Sequence, residues 1–407
     1  MPNTPIDTIL VVNSGSSSLK FMIFAMANET MLAKGLVERI GLPHTNFAYQ
    51  RGGAPKTEQT IEAANHAAAL EAVCAMLVDP GHGVLASLAD VQAIGHRVVH
   101  GGERFSAPTL VDRDVIEGIE ACASLAPLHN PPNLGGIVAC ERVFPGVPNV
   151  AVFDTAFHQS MPEHTYLYAI PRSLYKEHQI RKYGFHGTSH KFVTLAAAEA
   201  LGKPVDQLKL ITCHLGNGSS IAAVDRGRVL DTTMGLTPLP GVIMGTRCGD
   251  IDPAIILHLA REVGMSIDAI DTLLNKKSGL MAISGTGTGD MRDLVNARAA
   301  GSAEADTAMK MFAHRIALYI GGYHAVLGGA DAVIMTGGIG ENSAPARAAI
   351  LQNLAALGAI LDADANAKAS ATPGRVTTPN AALPVYVIPT NEELMIARET
   401  FAVVNTL

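Results

Sequence analysis

The chain has 407 residues, a net charge of −7 and a hydrophobic share of 48%. A chain of this length can bury a large core and usually forms more than one domain. Its acidic balance argues against a nucleic-acid partner, because such binders normally carry a basic face. Five scattered cysteines favour a reducing compartment, and no apolar run reaches the ~18 residues that cross a membrane. We therefore expect a soluble cytoplasmic enzyme without a membrane partner.

The first informative segment reads as two strands joined by a polar turn. Residues 9–12 are apolar and β-branched, residues 13–18 are Asn-Ser-Gly-Ser-Ser-Ser, and residues 19–24 form a second apolar run that begins beside Lys20. Such a tip combines backbone N–H groups, hydroxyls, an amide and a cation, which suits phosphoryl oxygens and Mg²⁺. A solvated loop is the alternative that this segment alone leaves open.

A helical pattern at residues 63–78 is followed by a predicted strand at residues 93–102, which is bounded by glycines. This strand carries Arg97 and His100. An arginine is costly to bury unless it meets an anion, so Arg97 is a candidate anion-binding residue. An edge strand with an exposed arginine is the alternative.

Asn130 followed by two prolines predicts a helix that starts there and runs to about residue 143. The next strand, at residues 150–153, ends at Asp154. Residues 154–168 are the expected crossing between domains. Further on, His186 and His190 are four residues apart, but Gly187 between them and the lack of a nearby carboxylate disfavour a metal pair. A histidine that donates to a phosphoryl group is the favoured interpretation.

The strand–turn–strand pattern recurs at residues 208–233, with a turn of Gly, Asn, Gly, Ser and Ser at residues 216–220. Both copies are followed by a helical segment, a buried strand ending in glycines, and a closing strand followed by an acidic residue. This duplication predicts an α/β fold of two similar domains, each a mixed sheet flanked by helices, around a central cleft.

The loop at residues 237–253 contains Arg247, Asp250 and Asp252, and loops of this kind are common at binding sites. A structural Arg–Asp pair, or an aspartate that caps the next helix, is the alternative. Glycine-rich loops at residues 285–290 and 337–342 suit a nucleotide, and the second has the right context because a buried strand precedes it.

A helical pattern at residues 302–327 separates the two glycine-rich loops, and a last helix follows Asn391. That helix is expected to return to the first domain. The predicted domains are residues 1–154 with 391–407, and residues 155–390, the second of which binds the nucleotide. No P-loop or dinucleotide fingerprint is present in the sequence.

These motifs together resemble the acetate kinase family, within the superfamily of sugar kinases and actin. The resemblance rests on five blocks in order, at residues 12–18, 182–190, 214–220, 235–247 and 337–342, and it extends from residue 9 to 397. It implies two actin-like or sugar-kinase-like domains and reversible, direct in-line phosphoryl transfer from ATP to acetate, giving acetyl phosphate and ADP. It also implies Mg²⁺ or Mn²⁺ as cofactor and a homodimer.

The resemblance also implies roles for individual residues. The catalytic positions are Arg97, Asp154, His186 and Arg247. The metal positions are Asn13 and Glu392. Arg97 also binds the substrate, and the pocket for its methyl group is Val99, Leu128, Phe185 and Pro238. The nucleotide and phosphate contacts are Lys20, His214, Leu215, Gly216, Asn217, Gly218, Asp290, Met291, Arg292, Gly337, Gly338, Ile339, Gly340, Glu341 and Asn342.

Three alternatives accompany this interpretation. Propionate kinases tend to have alanine at the position of Val99, so valine favours acetate, by about 1–3 kcal/mol for one methylene. A covalent phospho-enzyme at Glu392 would replace direct transfer. A non-catalytic ATP-binding module would not need Arg97 and Arg247. The loop at residues 284–290 departs from the family pattern by an extra residue, which affects the nucleotide assignment around Asp290.

Overall fold

The computed structural model describes residues 7–370 and 372–406. They form two compact units. The first contains the chain up to Phe157 together with the segment from Asn391 onward, and the second is His158–Thr390. The chain therefore leaves the first unit after Phe157 and re-enters it at Asn391. None of the described helices is long and apolar enough to cross a membrane.

The strands are β1 (Thr8–Ser14), β2 (Ser18–Ala25), β3 (Thr30–Glu38), β4 (Thr45–Arg51), β5 (Thr57–Ile61), β6 (Ala93–Val98), β7 (Thr109–Leu110), β8 (Asn149–Phe153), β9 (Lys209–Leu215), β10 (Ser219–Asp225), β11 (Arg228–Thr232), β12 (Ala332–Thr336), β13 (Gly374–Arg375) and β14 (Val385–Val387). The helices are α1 (His66–Leu77), α2 (Arg113–Ala121), α3 (Asn130–Val143), α4 (Glu163–Tyr166), α5 (Arg172–His178), α6 (Gly187–Leu201), α7 (Ala254–Arg261), α8 (Ile267–Lys276), α9 (Gly279–Ile283), α10 (Met291–Ala299), α11 (Ala303–Val326), α12 (Gly337–Asn342), α13 (Ala344–Asn353), α14 (Ala363–Lys368) and α15 (Glu392–Val404).

The first unit is built on an eight-stranded sheet of order β5-β4-β3-β2-β1-β6-β8-β7. Its centre is parallel, because β6 runs parallel to both β1 and β8, while β2 is antiparallel to β1. Alternate residues of β1 enter two separate cores, since Leu10 packs towards α1 and Ile9 packs towards α15. The sheet is therefore covered on both faces, as a buried apolar strand such as β1 requires.

The second unit repeats this arrangement with a six-stranded sheet of order β11-β10-β9-β12-β14-β13. Here β12 runs parallel to β9 and β14, and β10 is antiparallel to β9. Helix α11 shares a buried core with Ile211, Cys213 and Leu215 of β9. Helix α6 lies on the opposite face, where His190 contacts Thr212.

The predicted duplication and α/β class are confirmed, because β3-β2-β1-β6-β8-β7 and β11-β10-β9-β12-β14-β13 have the same order and the same strand directions. The helix predicted at Asn130 begins there, and α11 begins directly after its cap residue Ser302. The edge-strand alternative for Arg97 is wrong, since β6 lies between β1 and β8. Strands β4 and β5 were not predicted, and they extend only the first sheet.

Candidate active site

Arg97 and Asp154 meet at the edge of the first sheet where the parallel strands β6 and β8 end. Arg97 Nη2 donates to Asp154 Oδ2 at 2.5 Å, and the Asp154 side chain is 1% exposed. The Asp154 backbone N–H donates to Val98 O, which continues the ladder past the last residue of β8. Burial lowers the pKa of Arg97, but the carboxylates of Asp154 and Glu392 outweigh it, so the pKa is raised. Arg97 therefore remains a cation at this edge.

Glu392, in the first turn of α15, adds a second carboxylate to this cluster. Burial raises its pKa to about 7, Arg97 opposes that shift, and Asp154 and Glu393 add to it. Its Oε1 atom is buried and accepts no hydrogen bond within the described part of the chain. Glu393 instead forms an ion pair with Lys20, which lies opposite Asn13 in the β1–β2 ladder.

Two asparagines of α3, which the sequence analysis read only as a helix start, hold the ends of these strands. Asn133 Oδ1 accepts from Val99 N at 3.1 Å, and its Nδ2 donates to Ser14 O at 2.7 Å. Asn130 makes the same paired contact with the backbone N–H and C=O of His100. The signal was present in the spacing of the two asparagines, one helical turn apart.

Of the residues expected to hold a methyl group, Val99 and Phe185 are buried, at 4% and 3% exposure. Leu128 is 65% exposed in the segment before α3. Pro238 is half-buried, and its carbonyl accepts from Arg247 Nη1 at 3.3 Å. Val99 and Leu128 belong to the first unit, and Phe185 and Pro238 belong to the second.

In the second unit, Arg247 and His186 converge on the turn between β9 and β10. A Cβ atom built on Gly218 would lie 3.5 Å from both Arg247 Nη1 and His186 Nε2. Burial lowers the pKa of Arg247. The Arg–Asp alternative for this loop is wrong, because Asp250 pairs with Arg315 and Tyr319. Two basic side chains thus border one point of a glycine turn, which is a suitable arrangement for an anion.

A cluster of imidazoles surrounds His186. The His186 ring stacks on the His214 ring with centroids 4.3 Å apart, and His186 Nδ1 is 2.8 Å from Ser220 Oγ. His214 Nδ1 is 2.8 Å from Ser189 Oγ, which also contacts Thr390 Oγ1. His186 has a positive φ of 58° just before α6, so the turn itself aims the ring.

A cavity of about 740 Å³ adjoins the same turn within the second unit. The predicted residues that line it are Gly216, Asn217, Asp290, Met291, Arg292, Gly338, Ile339 and Asn342. The lining residues that the sequence did not single out are Thr246, Val295, Asn296, Ser343 and Pro345, whereas Thr288 and Gly289 belong to the predicted glycine-rich loop at residues 285–290. Several of these sit within three residues of a predicted contact, so proximity along the chain was the available signal. The volume falls in the range of nucleotide-sized ligand pockets.

The carboxylates of Asp290 and Glu341 both form hydrogen bonds with other groups of the protein. Asp290 caps α10 and pairs with Arg292, whose hydrogen bonds lower the Asp290 pKa to about 2. Glu341 Oε1 accepts from Thr336 Oγ1 and from the backbone N–H groups of Gly337 and Thr390. Its carboxylate therefore stabilises the β12–α12 turn from behind and is not part of the cavity lining.

Comparison with known proteins identifies the family to which these units belong. The acetokinase family model matches residues 8–398. The chain belongs to the acetokinase family. It is 51% identical to the acetate kinase of Natranaerobius thermophilus, over 96% of this chain and 98% of that protein.

Solved structures agree with this membership. The acetate kinase of Porphyromonas gingivalis superposes with a TM-score of 0.94 at 40% identity, over 98% of this chain and 100% of that one. A propionate kinase from Francisella tularensis superposes with a TM-score of 0.90 at 43% identity, over 97% and 99%. The fold of this acetokinase is thus shared by relatives named for two different acids.

Proposed function

We propose that this acetokinase catalyses reversible Mg²⁺-dependent phosphoryl transfer from ATP to acetate, giving acetyl phosphate and ADP. The observation that carries the proposal is the convergence of Arg247 and His186 on the Gly218 turn, beside a cavity of nucleotide size. Membership of the acetokinase family, and the name of the relative at 51% identity, support the choice of acceptor.

The carboxylate acceptor is assigned to Arg97. Acetate is an anion, and it must approach another anion, the terminal phosphate. Arg97 is a half-buried cation whose Nη2 is fixed by Asp154, so it can orient a carboxylate with little loss of side-chain freedom. Asp154 acts by holding the guanidinium in that orientation and by balancing its charge before substrate binds.

The transferring phosphoryl group is assigned to the turn formed by Gly216, Asn217 and Gly218. Phosphoryl transfer needs little covalent help from the protein, and its catalysis is mostly positioning and charge stabilisation. Arg247 and His186 supply two donors to the equatorial oxygens. The adenosine is assigned to the cavity lined by Asp290 and Met291.

The residues of the first unit fit a divalent cation. Glu392 Oε1 is a buried carboxylate oxygen with no hydrogen-bond partner in the described structure, and hard cations such as Mg²⁺ prefer such ligands. Glu392 and Asn13 would hold Mg²⁺, or Mn²⁺ in its place. When bound, the cation neutralises charge on the phosphates.

The test is acyl-phosphate formation from Mg-ATP with acetate, propionate or butyrate, trapped with hydroxylamine. We expect acetate to give the highest kcat/KM. Arg97→Ala should lower turnover by ~10³-fold or more, on the scale of removing an arginine from a phosphoryl-transfer site. Absence of acyl phosphate with every acid, in protein that still binds ATP, would favour the ATP-binding module instead.

Propionate is the second candidate acceptor, because a propionate kinase is 43% identical to this chain. Val99 argues for acetate, since valine is larger than the alanine expected in propionate kinases and leaves less room for the extra methylene of propionate. Direct transfer is separated from a phospho-Glu392 intermediate by the configuration at a chiral phosphoryl group. One displacement inverts the configuration, whereas two displacements retain it.

We also propose a cytoplasmic homodimer. Met311, Leu318 and Val326 are exposed at 43%, 57% and 56% on α11, and Ile255 and Leu257 of α7 are exposed at 42% and 52%. Met311, Leu318 and Val326 are seven and eight residues apart, so they share one face of α11, and a contiguous exposed apolar face is typical of an association surface. Leu318→Asp should shift the molecular mass measured by light scattering from dimer to monomer.

A further inference from the structure

Three side chains form an unbroken hydrogen-bonded series that ends at His186. Thr212 Oγ1 lies 2.7 Å from His190 Nδ1, His190 Nε2 lies 2.8 Å from Ser220 Oγ, and Ser220 Oγ lies 2.8 Å from His186 Nδ1. Thr212, His190 and Ser220 are all fully buried. Bulk solvent therefore does not reach these three side chains, and the contacts above are the side-chain hydrogen bonds that they make among the described residues.

The number of protons available is fixed by the chemistry of the groups. Burial lowers the pKa of His190 well below its ordinary value, and His158 and His214 add to that effect. His190 is therefore neutral and carries a single ring proton. Thr212 and Ser220 each have one hydroxyl proton. Three protons thus serve three hydrogen bonds.

Two arrangements of these protons let Ser220 donate; a third, in which His190 Nε2 and His186 Nδ1 both donate to Ser220, leaves the Ser220 hydroxyl proton without an acceptor among the described residues. In the first, His190 donates from Nδ1 to Thr212, and Ser220 donates to His190, so the Ser220 oxygen accepts from a proton on His186 Nδ1. The Thr212 hydroxyl proton then has no acceptor, because His190 is its only hydrogen-bond partner among the described residues. A buried donor without an acceptor costs about 1–3 kcal/mol.

In the second arrangement every proton has an acceptor. Thr212 donates to His190 Nδ1, His190 donates from Nε2 to Ser220, and Ser220 donates to His186 Nδ1. His186 Nδ1 is then an acceptor, so the neutral ring must carry its proton on Nε2. That is the atom which, together with Arg247 Nη1, borders the Gly218 turn.

We propose that Ser220, with His190 and Thr212 behind it, is a positioning residue that fixes His186 as the neutral Nε2–H tautomer. This inference rests on the proposed function, in which His186 donates to the transferring phosphoryl group. A neutral imidazole held in this way donates a hydrogen bond without having to be protonated. The Nε2 donor is then present at neutral and mildly alkaline pH, where an unconstrained neutral imidazole divides its one ring proton between the two nitrogens.

Several titratable or charged groups of the second unit lie around His186. Arg247 approaches from the loop at residues 237–253, His214 stacks from β9, and His190 belongs to the same helix, α6. His158 contacts His190 edge-on.

The tautomer can be read directly in protein labelled with ¹³C and ¹⁵N at histidine. Carbon–nitrogen correlation spectra, with the His186 signals assigned by their loss in His186→Gln, show which ring nitrogen carries the proton. We expect Nε2–H on His186 at pH 8 in the wild-type protein. A proton on Nδ1, or on both nitrogens, would overturn the proposal.

The kinetic test compares Ser220→Ala with the wild type. Without the serine, both tautomers of His186 become accessible and the ring is less constrained, so we expect kcat at pH 8 to fall roughly tenfold, less than the 10²–10³ for losing a donor outright. The deficit should shrink towards pH 6, because the imidazolium carries an Nε2 proton in either case. The KM for acetate and for ATP should change little.

The matched control is Thr194→Val, which removes a buried hydroxyl from α6 that has no hydrogen-bond partner in the described structure. Its pH profile should match the wild type. A Ser220→Ala profile parallel to the wild type would contradict the positioning role. If wild-type protein forms no acyl phosphate, the proposed function fails, but the tautomer is still decided by the spectra.

Discussion

Arg97 and Asp154 face each other from neighbouring parallel strands, and Asp154 is the more deeply buried of the two, at 1% against 23% side-chain exposure. In the ladder Arg97 lies opposite Val152, two residues before Asp154. The strand register therefore sets the separation of the two backbones that carry this pair.

Removal of Arg97 should for this reason destabilise the protein as well as abolish activity. Arg97→Met leaves Asp154 buried without its cation, and breaking a buried pair in this way costs about 3–5 kcal/mol. The double variant Arg97→Met, Asp154→Leu should recover part of that loss. The free energy of unfolding from urea titration measures both. Additive effects of the two substitutions would show that the pair is not coupled.

Glu392 gives a pH-dependent prediction. Its pKa is raised from 4.5 in the unfolded chain to about 7, so the folded state holds the proton more tightly. Below pH 4.5 the carboxyl is neutral in both states and has no differential effect. Between pH 4.5 and 7 the unfolded chain ionises while the folded protein keeps its proton, so stability is lost across that range, and above pH 7 the full cost of the buried charge is present. Glu392→Gln should therefore be more stable than the wild type at pH 8 without metal, by on the order of 2 kcal/mol.

The difference in stability between Glu392→Gln and the wild type should decrease towards pH 5. Mg²⁺ should stabilise the wild type but not Glu392→Gln. Thermal unfolding at pH 5 and pH 8, with and without Mg²⁺, provides the four measurements. A variant that is less stable than the wild type at pH 8 would mean that the carboxylate is favourably solvated there. Glu120→Gln is the control, because Glu120 is exposed on α2 and is not among the groups that shift the pKa of Glu392.

The duplicated sheets could be predicted because strand–turn–strand patterns of period two survive in the sequence at residues 9–24 and 208–233. The contacts behind the site could not. In the sequence, Ser220 and Thr212 look like any other hydroxyl-bearing residues of a strand. Only the packing of α6 against β9 brings His190 between them. Glu341 was predicted to face a nucleotide, whereas its carboxylate reaches Thr390, 49 residues away along the chain.

Val99 should govern the choice of acyl group. Val99→Ala removes two methyl groups from a residue that is 4% exposed, and we expect the ratio of kcat/KM for propionate over acetate to rise by about 10-fold or more. The hydroxylamine assay measures both constants. Val98→Ala is the matched control, because Val98 is buried in a separate core with Phe105 and Phe153. An unchanged ratio in Val99→Ala would remove this residue from the acyl pocket.

Gly245 should be important for tight binding of the nucleotide, because it lies against the turn formed by Gly216, Asn217 and Gly218. Its backbone N–H donates to Asn217 O at 3.0 Å, and a Cβ atom there would collide with Asn217 Oδ1 and approach Gly289 O at 3.2 Å. Asn217 and Gly289 both line the 740 Å³ cavity. Gly245→Ala should therefore displace two walls of the cavity at once.

Overpacking of this kind costs about 1–3 kcal/mol, which corresponds to a rise of roughly 5- to 150-fold in the dissociation constant for ATP. Calorimetric titration of the folded variant measures it, and the KM for acetate should be much less affected. Gly135→Ala, on an exposed position of α3 where an added Cβ meets no atom within 4 Å, controls for the substitution itself. If Gly245→Ala binds ATP as tightly as Gly135→Ala does, the loop that carries Arg247 must yield easily, and the Asn217 contact is not what shapes the nucleotide site.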